Sequence, residues 1–374
     1  MIQRARWIEQ LLTKKRSFIY GAGAMTHQVL EQLTEPSTLA NLVGFIDQSP
    51  DKLGCTLKGI PIYGPDQIAA LQPHQILINV QKDDVADEIE RYLQTLPLRA
   101  DVVNVNKLLR SSEILYGLRP PLYADQFPLI MFWSHKSGCT TLMKWFYHQL
   151  GMLDHITREG RTVHDFQSMY YADSHQWDRL EHELYVKKSK RVFKLVRNPY
   201  TRAVSSFLML SNKTMAENKQ FYLHGEWAKI RKFFYGDEHE PRGITFKQFL
   251  LYVKESGSDL GKVDSHFAKQ YVSGEEDWID EHIKLEDFSR HIREIERSYG
   301  LKPSPVHELS RSDHNNSEKM VSDGRNMADE LVTEETFAYQ PPPKHHWFYD
   351  DEAIRLVNDI YRDDFIAYQY EFRE

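Results

Sequence analysis

The chain has 374 residues, room for one large domain or two ordinary ones, and its 41% hydrophobic and 27% charged content excludes a disordered or fibrous protein. A formal net charge of −7 argues against nucleic acid as a general partner and leaves only a local basic pocket for a small anion. No apolar run is long enough for a membrane span, and the two cysteines, Cys55 and Cys139, are too few for a disulfide framework and wrongly spaced for zinc, which points to a reducing, cytoplasmic setting.

The opening MIQRARWIEQLLTKKRS carries charge throughout and reads as an amphipathic helix, not a secretory signal. From residue 17 to about 110 strands and helices alternate: SFIYGAG, MTHQVLEQL, LVGFID, GIPIYGPDQIAAL, QILINV, VADEIERYLQTL and ADVVNV. That order predicts a parallel sheet with helices on both faces, a Rossmann-like domain over 1–117. GAGAMT followed by FID is an incomplete dinucleotide fingerprint. Gly21 and Gly23 permit a tight turn, Thr26 stands at the third glycine's place, and His27 sits beside the turn. Asp47 ends the second strand, where a ribose hydroxyl would be met. Two readings stay open: a nucleotide or nucleotide-sugar site, and a scaffold or dimerisation domain without a ligand.

The three prolines of LRPPLYADQFP suggest a linker over 118–127, with a second domain at 128–374. There a strand, LIMFWS, leads through HKSGCT into the helix TLMKWFYHQL, closed by Gly151. RVFKLVRNP is a further strand and YTRAVSSFLML the helix behind it. From Thr245 onward TFKQFLLYV, LEDFSRHIREIERSYG and DEAIRLVNDIYRDDFIAY show helical spacing of apolar residues. Residues 302–346, polar and proline-rich, read as a long surface loop or substrate lid. The expected fold is therefore α/β: a Rossmann-like parallel-sheet domain, then a P-loop-like α/β domain with a helical C-terminal part.

In HKSGCTT, a glycine between small polar residues lets backbone N–H groups turn inward on an anion, and the following helix adds its positive end. Thr140 and Thr141 offer hydroxyls and Lys136 a full charge. An ATP loop needs an upstream glycine and a lysine where Cys139 stands, and no aspartate stands out as a magnesium carrier, so neither a kinase nor a metal site is expected. In VRNPYTRAVSSFL, Arg197 ends a strand, Pro199 suits the first turn of a helix, and Ser205 lies about two turns on. A strand-end guanidinium and that serine can grip one phosphate together. Arg202 either braces the helix or pairs with an acid.

With both motifs in hand, residues 128–374 resemble the sulfotransferases that use 3′-phosphoadenosine 5′-phosphosulfate, particularly the carbohydrate branch. KSGCTT resembles that family's loop for the 5′-phosphosulfate and RNPYTRAVSSF its 3′-phosphate motif. DSHFAKQY (Asp264 to Tyr271), and IKLEDF with YRDDFIAYQY, resemble further elements in the same order. The resemblance implies that Lys136 contacts the oxygen bridging phosphate and sulfate. It implies that Ser137, Gly138, Cys139, Thr140 and Thr141 hold the 5′ side, and Arg197 and Ser205 the 3′-phosphate. The product would be 3′-phosphoadenosine 5′-phosphate, and the acceptor a hydroxyl, with a carbohydrate in polysaccharide biosynthesis as the leading class. From IYGAG to ILINV the first domain resembles those accompanying bacterial sugar-modifying enzymes, which implies nucleotide or nucleotide-sugar binding as one reading.

An acceptor hydroxyl needs a base, and histidine is the default near neutral pH. His164, in TVHDF after a short strand-like start, is preferred over His175 in SHQW and His266 in DSHF, with Glu159 and Glu286 as carboxylate alternatives. Trp347, Phe348 and Tyr349 either stack on sugar rings or pack in the core. The competing reading is a nucleotide-sugar-binding or regulatory protein whose sulfotransferase-like domain has lost catalysis. Intact Lys136, Arg197 and Ser205 speak against it.

Overall fold

The computed structural model describes residues 1–12, 15–33, 36–310, 320–321, 324 and 326–374. The chain divides into two compact units, Met1–Tyr116 together with Tyr185–Lys187, and Gly117–Leu184 together with Lys188–Glu374. Among the described residues no helix is long and apolar enough to cross a membrane.

In the first unit the strands are β1 (Ser17–Tyr20), β2 (Leu42–Ile46), β3 (Thr56–Leu57), β4 (Ile60–Tyr63), β5 (Gln75–Ile78) and β6 (Asp101–Asn104), in the order β3-β4-β2-β1-β5-β6. Every pairing is parallel except β3 with β4, a short hairpin that the sequence reading did not separate. The side-chain alternation of the central strands feeds two cores. Ile19, Phe45 and Leu77 pack with Trp7, Leu11 and Val105 on one face, while Phe18, Ile46 and Ile76 pack with Ala86, Ile89 and Leu93 on the other. Both faces being covered explains why SFIY and QILI are buried throughout. Tyr185 meets Trp7 edge-on, with ring centroids 5.6 Å apart.

The turn after β1 requires its glycine: Gly21 has φ 108, and a Cβ there would lie 2.7 Å from the Asn79 carbonyl oxygen. Thr26, at the third glycine's place, is fully buried, donates to the Gly21 carbonyl and accepts from Asn79 Nδ2 at 2.9 Å. Asp47 braces the same turn. Its Oδ2 accepts from the Ala22 N–H at 2.8 Å and from Lys52 Nζ at 2.9 Å, and its Oδ1 from the Ser49 N–H at 2.9 Å.

The second unit is built on a smaller parallel sheet, β7 (Leu129–Trp133), β8 (Arg191–Val196) and β9 (Glu281–Lys284), with β8 in the middle. The segment expected as a linker is instead tied into this unit: Leu122 and Met131 exchange backbone hydrogen bonds of 2.9 and 3.0 Å, and Leu122, Tyr123, Ala124 and Phe127 are buried. Its prolines stop regular pairing, but its apolar residues outweigh them and anchor it to the core. In the middle of β8 Lys194 is buried against Glu275, donating also to the Gln270 carbonyl at 2.6 Å and to the Tyr368 hydroxyl at 2.9 Å. A lone buried ammonium would be costly; the partners offset that cost and tie the sheet to the C-terminal segment.

The C-terminal part is helical as expected. Phe246–Ser256 starts with a capping box made by Thr245 and Gln248, and Asp351–Ile360 is followed by Arg362–Ala367. Phe246, Phe249, Phe348, Val357 and Phe365 share one core with Phe207, so Phe348 belongs to packing rather than to a sugar platform. Of the expected surface loop, 311–319, 322–323 and 325 lie outside the described residues. The rest includes the short helix Val306–Leu309 and a bridge from Val332 to Ile244.

Candidate active site

β7 delivers the chain at Trp133 to a tight loop that opens the helix Cys139–Gln149. Lys136 (φ 63) and Gly138 (φ 92) are left-handed, separated by Ser137, an alternation that turns successive N–H groups toward one concave side. A Cβ on Gly138 would meet Leu285 Cδ1 at 2.5 Å, so both conformation and space call for glycine. Ser137 donates from Oγ to the Ser134 carbonyl at 2.6 Å and from its N–H to the same oxygen at 3.3 Å. Ser137 thus shapes the loop and has no donor left to offer. Thr141 and Leu142 bond to the Gly138 carbonyl, which leaves the N–H groups of Gly138, Cys139 and Thr140 as the open start of the helix. Burial holds the Cys139 thiol above its usual pKa, so it is a neutral loop residue, not a nucleophile.

The second motif comes to the first. Arg197, at the end of β8, donates from Nη1 to the Lys136 carbonyl at 3.1 Å and from Nε to Thr201 Oγ1 at 3.0 Å. Its Nη2 lies 3.4 Å from His345 Nε2. Thr201 and Ser205, one turn apart on the helix Pro199–Phe207, share a face, so Arg197, Thr201 and Ser205 form one polar stripe. Arg202 is buried and donates from Nε to the His135 carbonyl at 2.9 Å, with the buried Asp364 carboxylate as its electrostatic counterpart; it braces the loop and also faces an acid, the partner that one of the two sequence readings expected. Among the described residues Lys136 has no acidic partner. Burial, with the positive charges of Arg197 and Arg202 added, pulls its pKa down to about 8, and burial lowers Arg197 to about 10. Cations that suppress one another's charge form a site that gains from an anion.

Three histidines gather beside this loop. His266 is mostly buried, and its Nδ1 lies 2.6 Å from Asp264 Oδ1, which among the described residues leaves Nε2 as the open acceptor of an oriented, neutral ring. Burial lowers its pKa despite Asp264. Its ring lies against that of His135, centroids 3.9 Å apart, and His135 is driven well down by burial and by the charges around it. His164 Nε2 lies 3.0 Å from Thr140 Oγ1. The strand-like start expected before His164 is in fact a helix cap: Thr162 Oγ1 accepts from the Asp165 N–H at 3.1 Å and Asp165 returns to the Thr162 N–H at 3.2 Å, opening the helix Val163–Tyr170. The β-branched pair Thr162–Val163 imitated a strand; the aspartate three residues on was the signal for the cap.

His175 is elsewhere. Its side chain is 80% exposed and pairs with Asp173, and none of its contacts among the described residues reaches the loop. Glu159 is bound to His155 and Arg161 at the surface, and Glu286 accepts from the Asn198 N–H and the Tyr370 hydroxyl. The sequence reading missed His135, Thr201 and His345. Adjacency to Lys136 and to Arg197 could have flagged the first two, but nothing in the sequence brings His345 to Arg197 across 148 positions.

Compared with protein families, residues 122–371 match the sulfotransferase family. No curated protein matches the chain. Among solved structures the chain is similar to UDP-D-quinovosamine 4-dehydrogenase from Vibrio fischeri, at 26% identity over 26% of this chain and 85% of that one, with a TM-score of 0.20.

Proposed function

Because this chain belongs to the sulfotransferase family, we propose that its second unit moves a sulfuryl group from 3′-phosphoadenosine 5′-phosphosulfate to a hydroxyl, with a carbohydrate as the acceptor class. The observation that carries this reading is the 3.1 Å bond from Arg197 to the Lys136 carbonyl, which joins the two anion motifs into one basic pocket. The residues suit a ligand with phosphates at two ends: the helix start with Lys136, Thr140 and Thr141 for the 5′ side, and Arg197, Thr201 and Ser205 for the 3′-phosphate. Gly138 and Cys139 contribute backbone N–H groups there. Ser137 holds the loop's shape.

Lys136 meets the negative charge that develops on the bridging oxygen as the sulfur–oxygen bond breaks. Positioning and charge stabilisation of this kind are what such transfer needs. His266 takes the acceptor's proton on Nε2 while Asp264 fixes its tautomer. His164, the sequence preference, is assigned instead to Thr140, whose hydroxyl it orients. The first unit stands outside the reaction: every group invoked lies between residues 134 and 286, and Asp47 and Thr26 are committed to their own turn. Incubation with sulfur-labelled donor and a glycan panel tests the reading; label should move to a hydroxyl of at least one glycan, and hydrolysis without transfer across the panel would reject it.

A further inference from the structure

Within the second unit, between the segment 121–126 and the helices Cys139–Gln149 and Val163–Tyr170, lies a cavity of about 360 Å³, a size ordinary for a small-molecule site. Its walls are mainly aromatic, with Tyr123, Tyr147, Phe166 and Tyr170 among them, and Gln176 and Arg179 also line it. Arg179 faces Asp125 at 3.7 Å, so the lining presents no unpaired charge from that pair. Most of the nearby polar groups are spent: Tyr123 donates to Asp125 at 2.6 Å, Tyr171 to the Pro121 carbonyl at 2.8 Å, and Gln167 to the Pro120 carbonyl at 2.6 Å.

Gln176 differs. It is 8% exposed, its amide oxygen is buried, and among the described residues that oxygen has no hydrogen-bond partner. Tyr147, 4% exposed, lines the same cavity and brings a second polar side chain to its wall. An unpaired buried polar group costs roughly 1–3 kcal/mol, a cost that a ligand can remove.

We propose that this cavity binds a neutral pyranose ring, its C–H face on the tyrosine and phenylalanine rings and its hydroxyls on Gln176 and Tyr147. A wholly apolar ligand would leave the amide unpaired, and an anion would find Arg179 already matched. A hydroxyl, both donor and acceptor, satisfies the Gln176 amide in either orientation. The ring comes either from a non-reacting residue of the acceptor glycan, which rests on the function proposed above, or from a free saccharide. Tyr147 lies seven residues after Thr140 on the same helix, about 10 Å along its axis, and Phe166 two residues after His164, so a short oligosaccharide would span both places.

The test is ligand-observed saturation-transfer NMR on the full chain, with methyl glycosides of neutral hexoses and N-acetylhexosamines as probes. Binding is expected at millimolar concentration and should weaken about three- to tenfold in Gln176→Leu and in Tyr147→Phe, the loss of one hydrogen bond. The melting temperature of Gln176→Leu should hold or rise, because an unpaired buried amide has been removed; a merely structural glutamine would lower it and leave glycoside binding alone. Absence of binding by every glycoside, equal binding in both variants, equal binding of cyclohexanol, or displacement by adenosine 3′,5′-bisphosphate would each overturn the assignment. A raised KM for oligosaccharide acceptors at unchanged kcat in Gln176→Leu identifies the acceptor as the source. Weakened glycoside binding with unchanged KM identifies a free saccharide. Glycoside binding that survives in a protein transferring no label supports the cavity and rejects the sulfotransfer reading alone.

Discussion

Arg197 is fixed on three sides, by Thr201, by the Lys136 carbonyl and by His345, and such a guanidinium is oriented before any ligand arrives. Arg197→Ala should weaken binding of adenosine 3′,5′-bisphosphate by about ten- to a hundredfold in calorimetry, the worth of a charge-assisted contact of roughly 1.5–3 kcal/mol. Equal binding of adenosine 5′-phosphate and the bisphosphate by the unaltered protein would remove the 3′ role from Arg197. Lys136 adds a pH dependence. With its pKa lowered to about 8, its charge is present below that pH and lost as pH rises through it, so bisphosphate affinity should fall on the alkaline side. Lys136→Arg keeps its charge across that range and should flatten the profile. His266 works in the opposite sense. Its lowered pKa keeps the ring neutral at pH 7, and protonation on the acid side would remove the base proposed above. His266→Ala should therefore reduce turnover by roughly a hundredfold or more with donor binding intact, while His164→Ala should mainly weaken donor binding through Thr140. The reverse pattern would return the role of base to His164.

At the scale of elements, the loop from Ser134 to Gly138 depends on one residue without a side chain. Gly138→Ala forces a left-handed alanine, which costs about 1–2 kcal/mol, and drives its methyl into Leu285. A lower melting temperature and weaker bisphosphate binding are expected. Adding Leu285→Ala should relieve the collision but not the backbone strain, so stability should recover only in part; full recovery would mean that the left-handed conformation is dispensable. The elements that sequence periodicity revealed are those with one dominant signal. SFIY and QILI are continuous apolar runs, and TFKQFLLYV combines a cap with an apolar stripe. β9 was missed because EHIK holds a single fully buried side chain, Ile283, among charged and polar residues, and its pairing with β8 supplies what its own pattern lacks.

For the molecule as a whole, turnover should be unchanged by EDTA, because Lys136 and Arg197, with Arg202 behind them, supply the positive charge that a magnesium ion brings to a terminal phosphate. Activity abolished by the chelator and restored by magnesium would redirect the reading toward phosphoryl transfer. The sequence by itself determined the two α/β units in their order, the loop at Lys136 and the strand-end Arg197, and it suggested the anion site proposed for them. These are local: each rests on a few neighbouring residues whose backbone geometry and charge follow from their types. Only the tertiary structure decided that 121–127 is anchored rather than free, that Ser137 is spent within its own loop, that His175 is at the surface, and that Asp264 and His135 hold His266 beside Lys136. Each of these depends on which distant segments pack together. That is set by burial and hydrogen-bond pairing over many tens of residues, and no short stretch of sequence contains it.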